Sequence, residues 1–447
     1  MPNNELLIAG GHVVTFDPEL GDLPKADLLI RNGRIAAIGT DLADSGATEV
    51  IHAQGRMVLP GLVDAHRHVW QGALGGYTGR HSLLGYVATV VREIAPRYTP
   101  QDIYAGTLWG ALQALNAGIT TVADWSHNLQ TPEHANAAVS ALRHSGIRGI
   151  FLYGGPGESP EEFNGNPAGP HPGDARRMHQ DWSERAGDRL RMGLALRGTA
   201  FTTAEATIAD FADARELDLP ISVHVGMAGF PDSVSRLDEL GLLGPDVNYA
   251  HANQLTEHEF ARIAESGGSI AITPSIDMLM VLGTYPATGS ALRHRISAGF
   301  GVDTTTSAGS DLFTEMRIAL AAERSRANAE AVGRGEAVPT VDLDHRDMLR
   351  LATLGGARAW HLDEEIGTLS IGKRADVTIV DMRSPHLDGF GDPVTSLVLG
   401  AGPADVETVI VGGDVVKSAG NLVGAYADAA RGLVEESRVR IRRGADV

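Results

Sequence analysis

Apolar and polar residues alternate with a period of two at both ends of this chain, while its middle alternates short apolar runs with helix-period stretches. Leu6 to Phe16 and Ala26 to Ile38 read as alternating strands broken at Gly10-Gly11, Asn32-Gly33 and Gly39, which is hairpin chemistry. The far end repeats the style in Gly372 to Asp381, Val406 to Val411 and Val415-Val416. The two β-rich ends, residues 1–57 and 368–447, are expected to pair into one small sheet domain. Between them, Met57 to Val63, Ile119 to Ala123, Ile147 to Tyr153, Leu190 to Leu196, Ile221 to Val225, Val247 to Ala250, Ser269 to Thr273 and Thr304 to Ala308 are candidate strands. Helical spacing with Thr or Pro starts follows in Pro132 to His144, Thr203 to Leu217 and Thr256 to Ser266. The pattern predicts an α/β chain whose residues 58–367 close into a distorted (β/α)8 TIM barrel. Gly154 to Asp174, long and rich in Gly and Pro, reads as a lid at the barrel mouth or as a surface insertion. Ala425 to Arg443 reads as an amphipathic helix with a packing role.

Composition narrows the chemistry. A chain of 447 residues with 43% hydrophobic content is long enough and apolar enough for a large folded domain with a smaller one. No uninterrupted apolar run reaches membrane-span length, and Met1-Pro2-Asn3-Asn4-Glu5 lacks the pattern of a signal peptide, so cytoplasmic residence is the default expectation. A net charge of −19 argues against nucleic-acid or anionic-membrane binding and suits a small-molecule partner. With no cysteine, any metal must be held by histidine and carboxylate.

Candidate chemistry begins at Val58-Leu59-Pro60-Gly61-Leu62-Val63-Asp64-Ala65-His66-Arg67-His68. Strand alternation sends His66 and His68 to one side and Arg67 to the other, so the two imidazoles can share an ion at a barrel mouth. Three further polar residues stand where later strands should end: His224 after Pro220 to Val223, His251 after Val247 to Ala250, and Asp311 after Thr306 to Ser310. Each alone has a structural reading, Asp311 as the cap of the helix that follows. In order at successive strand ends after a His-x-His on the first strand, they form a series much less probable as an accident than any one of them alone.

That series resembles the amidohydrolase superfamily, in its cytosine deaminase-like branch with the atrazine and triazine hydrolases. The resemblance extends to Ala117-Gly118-Ile119-Thr120-Thr121 and to Ile366 through Asp376, and so to nearly the whole chain. It implies a β-sandwich built from both termini beside the barrel, and a homo-oligomer. It implies His66, His68, His224 and Asp311 as metal ligands, with His251 meeting the attacking water or the substrate. Arg191 to Leu196 offers no lysine for a bridging carbamate, which points to one divalent ion, zinc first, with iron or manganese accepted by the same donors. The implied activity is hydrolysis of a non-peptide carbon-nitrogen bond in a small cyclic nitrogen compound by metal-bound hydroxide. Asp311 would carry the proton to the leaving nitrogen, and His251 would steady developing charge.

The match breaks three residues after His224. Most deaminases of this branch carry a glutamate there that protonates the ring nitrogen, whereas this chain has Met227, whose thioether moves no proton. Deamination through Asp311 and His251 is slightly favoured. Ring opening of a cyclic amide or imidazolone, or removal of another leaving group, stands as the alternative, and a non-catalytic scaffold is the weakest reading. Asp277 stands near a substrate-facing position. Gln71 ends a His-x-His-x-x-Gln pattern in which relatives use the glutamine on substrate. Trp70 and Trp125 are candidates to stack on a planar ring, Arg197 to hold a carbonyl or carboxylate, and His127 to line the same mouth.

Overall fold

The computed structural model describes residues 5–155, 171, 173–230, 232–338, 342–389 and 391–442. Its N-terminal strands are β1 (Glu5–Val14), β2 (Asp22–Arg31), β3 (Arg34–Gly39), β4 (Glu49–His52) and β5 (Arg56–Pro60). Asn32 and Gly33 join β2 to β3 with φ of 50° and 73°, the left-handed pair that a two-residue hairpin requires. The C-terminal strands β14 (Val377–Asp381), β15 (Val406–Val411), β16 (Asp414–Ser418) and β17 (Asn421–Leu422) are numbered after the eight barrel strands described next. They continue the same sheet in the order β17-β16-β15-β14-β5-β1-β2-β3, with β4 beside β1. Both ends of the chain therefore meet in one mixed sheet, antiparallel where β14 meets β5.

The barrel strands are β6 (Leu62–Arg67), β7 (Ile119–Ser126), β8 (Arg148–Gly154), β9 (Leu190–Leu196), β10 (Ile221–Val225), β11 (Val247–His251), β12 (Ser269–Ile272) and β13 (Ser297–Phe300). They lie side by side in chain order, all parallel. The helices between them start where the sequence signals them. Thr203 and Thr256 cap Ala204–Glu216 and Glu257–Ser266, the second through a reciprocal capping box with Glu259. The C-terminal helix spans Ala425–Arg442. Among the described residues no helix is long and apolar enough to cross a membrane.

Two of the expected strands are placed differently. The run Met57 to Val63 is divided at Gly61, with β5 in the terminal sheet and β6 in the barrel. A Cβ on Gly61 would lie 2.0 Å from Thr120 Oγ1, so only glycine lets the chain step between sheets here. The eighth strand is Ser297–Phe300 rather than Thr304 to Ala308. It is short and glycine-rich because it packs against backbone: a Cβ on Gly299 would lie 2.4 Å from Gly356 Cα, and one on Gly301 would lie 2.6 Å from the His66 carbonyl. The β6/β13 seam is closed by Asp303 N–H to His66 O (2.9 Å), His68 N–H to Asp303 O (2.8 Å) and Val302 N–H to Asp64 Oδ1 (3.1 Å). Barrel and terminal sheet are joined by buried Arg148, whose guanidinium grips Asp376 through two bonds of 2.7 and 2.9 Å. Most of the expected lid, residues 156–170 and 172, lies outside the described residues.

Candidate metal centre and its chamber

The C-terminal ends of β6, β10, β11 and β13 converge at one mouth. One potential ligand atom each from His66, His68 and His224, and likewise from His66, His251 and Asp303, lie within 4.8 Å of one another. The carboxylate in this cluster is Asp303, three residues past β13, and not Asp311. Asp311 instead caps the helix Leu312–Gly333, its Oδ1 accepting the Thr314 N–H at 2.8 Å and its Oδ2 the Thr314 hydroxyl at 3.1 Å. The signal for Asp303 was present: it is the first charged residue after Ala298-Gly299-Phe300-Gly301-Val302. The polar stretch from Thr304 onward drew attention away from a strand with little apolar bulk.

The ring orientations suit metal ligation. His68 Nδ1 donates to the Trp125 carbonyl at 2.8 Å, which turns Nε2 to within 3.2 Å of Asp303 Oδ1. His251 Nδ1 sits 2.9 Å from Thr273 Oγ1 and 3.1 Å from Asp277 Oδ1, which likewise turns its Nε2 inward. His251 and Ala252 hold φ of 74° and 59°, left-handed values that cost energy in residues with a Cβ and set the ring's aim. Both nitrogens of fully buried His66 lack a hydrogen-bond partner among the described residues. Buried polar atoms are rarely left so, and a ligated ion accounts for one of the two.

Protonation states follow from burial and neighbours. Burial pushes His66 down to about 4 against the opposing pull of Asp303, and burial likewise drives His224 and His127 well below the usual imidazole range. Burial alone would raise the Asp303 carboxyl, but the adjacent His66 and His68 hold it well below the usual carboxylate range. Neutral imidazoles beside an ionised carboxylate are the donor states that a divalent cation needs, so these residues fit one.

A chamber opens from the cluster. Its polar lining includes His68, Tyr86, His127, Arg197, His224, His251, Asp303 and Thr304, and its wall is otherwise apolar: Leu83, Val87, Val91, Phe201, Met280 and Leu282, with Met227, Trp125 and Ile276. Of the expected substrate contacts, Trp125, His127 and Arg197 line it, and Trp125 lies 4.3 Å from the His224 ring, centroid to centroid. Gln71, Trp70 and Asp277 stand one layer behind. Gln71 bonds Tyr86, Trp70 packs edge-on to His127 at 5.4 Å, and Asp277 holds His251. Side chains that bond polar wall groups from behind lose their own access to the chamber. Tyr86 and Thr304 were not singled out as site residues in the sequence, because no metal-ligand spacing marks them.

A model described as the amidohydrolase family matches residues 57–416. The 5-methylthioadenosine/S-adenosylhomocysteine deaminase of Moorella thermoacetica is 30% identical over 377 residues, covering 82% of this chain and 83% of that protein. The 5'-deoxyadenosine deaminase of Methanosarcina mazei is 28% identical over 424 residues, 92% of each chain. Among solved structures, an atrazine chlorohydrolase from Arthrobacter aurescens complexed with zinc matches with a TM-score of 0.81 at 25% identity, covering 98% of this chain and 100% of that one. An adenosine deaminase from Xanthomonas campestris with bound zinc matches with a TM-score of 0.80 at 24% identity, over 98% of each.

Proposed function

The chain belongs to the amidohydrolase family, enzymes that hydrolyse carbon-nitrogen bonds other than peptide bonds, and on that premise we propose that it deaminates a small, neutral nitrogen heterocycle. The observation that carries this reading is the cluster of four imidazoles and one carboxylate, two overlapping triads that share His66, opening into a mostly apolar chamber. His66, His68, His224 and Asp303 would hold one divalent ion, zinc by donor type and by the zinc in two structural relatives. When bound, that ion activates water near neutral pH and serves as a Lewis acid.

The chain's own residues do the rest. Asp303, kept ionised, takes the proton of the attacking water and delivers it to the leaving nitrogen. His251, steadied by Asp277 and Thr273, directs Nε2 at the charge that develops on the attacked ring. Trp125 offers a flat face for that ring beside His224. The apolar wall excludes bulk water and favours a neutral ligand. Met227 lines the chamber where the branch has its glutamate, so Asp303 and His251 carry the proton traffic. That same methionine favours a second reading, ring opening of a cyclic amide, in which no ring nitrogen needs protonating. A homo-oligomer in the cytoplasm, with no nucleic-acid or membrane partner, completes the reading.

The deciding experiment is mass analysis of metal-loaded protein incubated with aminopurines, aminopyrimidines, triazines, imidazolones and hydantoins. Replacement of an imino group by oxygen, with ammonia released, is the expected result. Addition of one water would establish ring opening, and halide or alcohol release a different leaving group. An unchanged panel would count against the heterocycle itself.

A further inference from the structure

Tyr86 ends the short helix Leu83–Tyr86 and lines the chamber, yet the only hydrogen-bond partner of its hydroxyl among the described residues lies behind it. Gln71 Nε2 donates to the Tyr86 hydroxyl at 2.5 Å. The direction of that bond is set from further back. Thr78 Oγ1 meets both Thr306 Oγ1 and Ser307 Oγ at 2.7 Å, and where its hydrogen goes to Thr306 the Thr306 hydroxyl hydrogen is left for Thr304 Oγ1 at 2.9 Å. Thr304 Oγ1 also accepts the Thr306 N–H at 3.1 Å. With both lone pairs filled, the Thr304 hydroxyl has only its hydrogen to offer, and it gives it to Gln71 Oε1. Gln71 must then present its amine to Tyr86, and the phenol oxygen is an acceptor on its rear side. Its own hydrogen has no acceptor among the described residues and faces the chamber.

We infer that Tyr86 is a substrate-contacting donor whose polarity is locked by the Thr78-Thr306-Thr304-Gln71 relay, and that it selects heterocycles presenting a lone pair, a ring nitrogen or carbonyl oxygen, at that point. Gln71 and Thr304 are positioning residues. The inference rests on the heterocycle reading above. It adds a polarity filter on the chamber wall, distinct from the metal cluster, because a buried donor left unpaired penalises the wrong ligand more than a good bond rewards the right one.

The test pairs each aminopurine, aminopyrimidine and triazine with the analogue in which one ring nitrogen is replaced by C–H. Turnover is followed as kcat and KM, and binding by calorimetry, on wild type, Tyr86→Phe, Gln71→Ala and Gln71→Glu, each checked for metal content and Tm. In wild type one ring position should matter, its nitrogen-to-carbon change lowering kcat/KM and affinity by about tenfold. Tyr86→Phe should abolish that difference. Gln71→Ala should raise KM and blunt it. Gln71→Glu keeps size and shape but draws the phenolic hydrogen backward, so the preference should vanish or reverse, which a merely structural role would not produce. Equal losses by Tyr86→Phe across both members of every pair, or a wild-type preference for the C–H member, would overturn the inference. If nothing is turned over, the function proposed above fails, while the paired binding data still decide the role of Tyr86.

Discussion

Removing one oxygen from Asp303 is expected to cost this protein more activity than removing the whole carboxyl of Asp311. Asp303→Asn keeps the size of the side chain but loses the charge that faces His66 and His68, at 3.6 and 3.2 Å. It should lower kcat by about 10²- to 10⁴-fold and weaken metal retention, read by steady-state kinetics and metal analysis. Asp311→Ala removes a helix cap instead. It should cost about 1 kcal/mol in urea unfolding and leave the metal content of the folded protein unchanged. The same division holds among the histidines. His66 and His68 are legible as a pair from spacing alone, whereas the direction of each ring depends on Trp125 and Asp303, which are distant in the chain.

At the scale of elements, the join between β5 and β6 has no slack. Gly61→Ala would place a methyl 2.0 Å from Thr120 Oγ1 and 2.4 Å from Thr120 Cγ2. The expected loss is about 1–3 kcal/mol by denaturant unfolding. Thr120→Ala in the same chain should return part of it, since the two changes share one space. Six of the eight candidate strands and the three helices with Thr or Pro starts were legible because bulky β-branched runs, Thr caps and Pro at first helical positions are local signals. The first candidate run was legible as apolar but not as two strands, because its break is enforced by Thr120. The eighth strand was hidden because its neighbours, the Gly356 backbone and the His66 carbonyl, admit only small side chains at Gly299 and Gly301. Periodicity reports burial against side chains and is weak where backbone packs on backbone.

At the scale of the molecule, Lys417 ties the terminal sheet to the barrel, its ammonium donating to the carbonyls of Asn116 (2.6 Å) and Pro403 (3.1 Å). Burial pulls its pKa down to about 8. The unfolded chain holds that proton to about 10.4. Between these values the unfolded state binds more protons, so this residue adds stability as pH rises from about 8 to 10.4. Unfolding curves taken across that window should show a rise for wild type relative to Lys417→Met, and parallel curves would remove this role. Taken over its whole length, the sequence by itself determined the α/β class, the sheet made from both ends, the barrel and the histidines that face its mouth, because periodicity and spacing are written locally. Tertiary structure alone decided that Asp303 rather than Asp311 completes the cluster. It also placed Gln71, Trp70 and Asp277 behind the chamber wall, with Tyr86 and Thr304 forming part of that wall. Those choices depend on where separate strands end relative to one another, and that relation exists only once the barrel has closed.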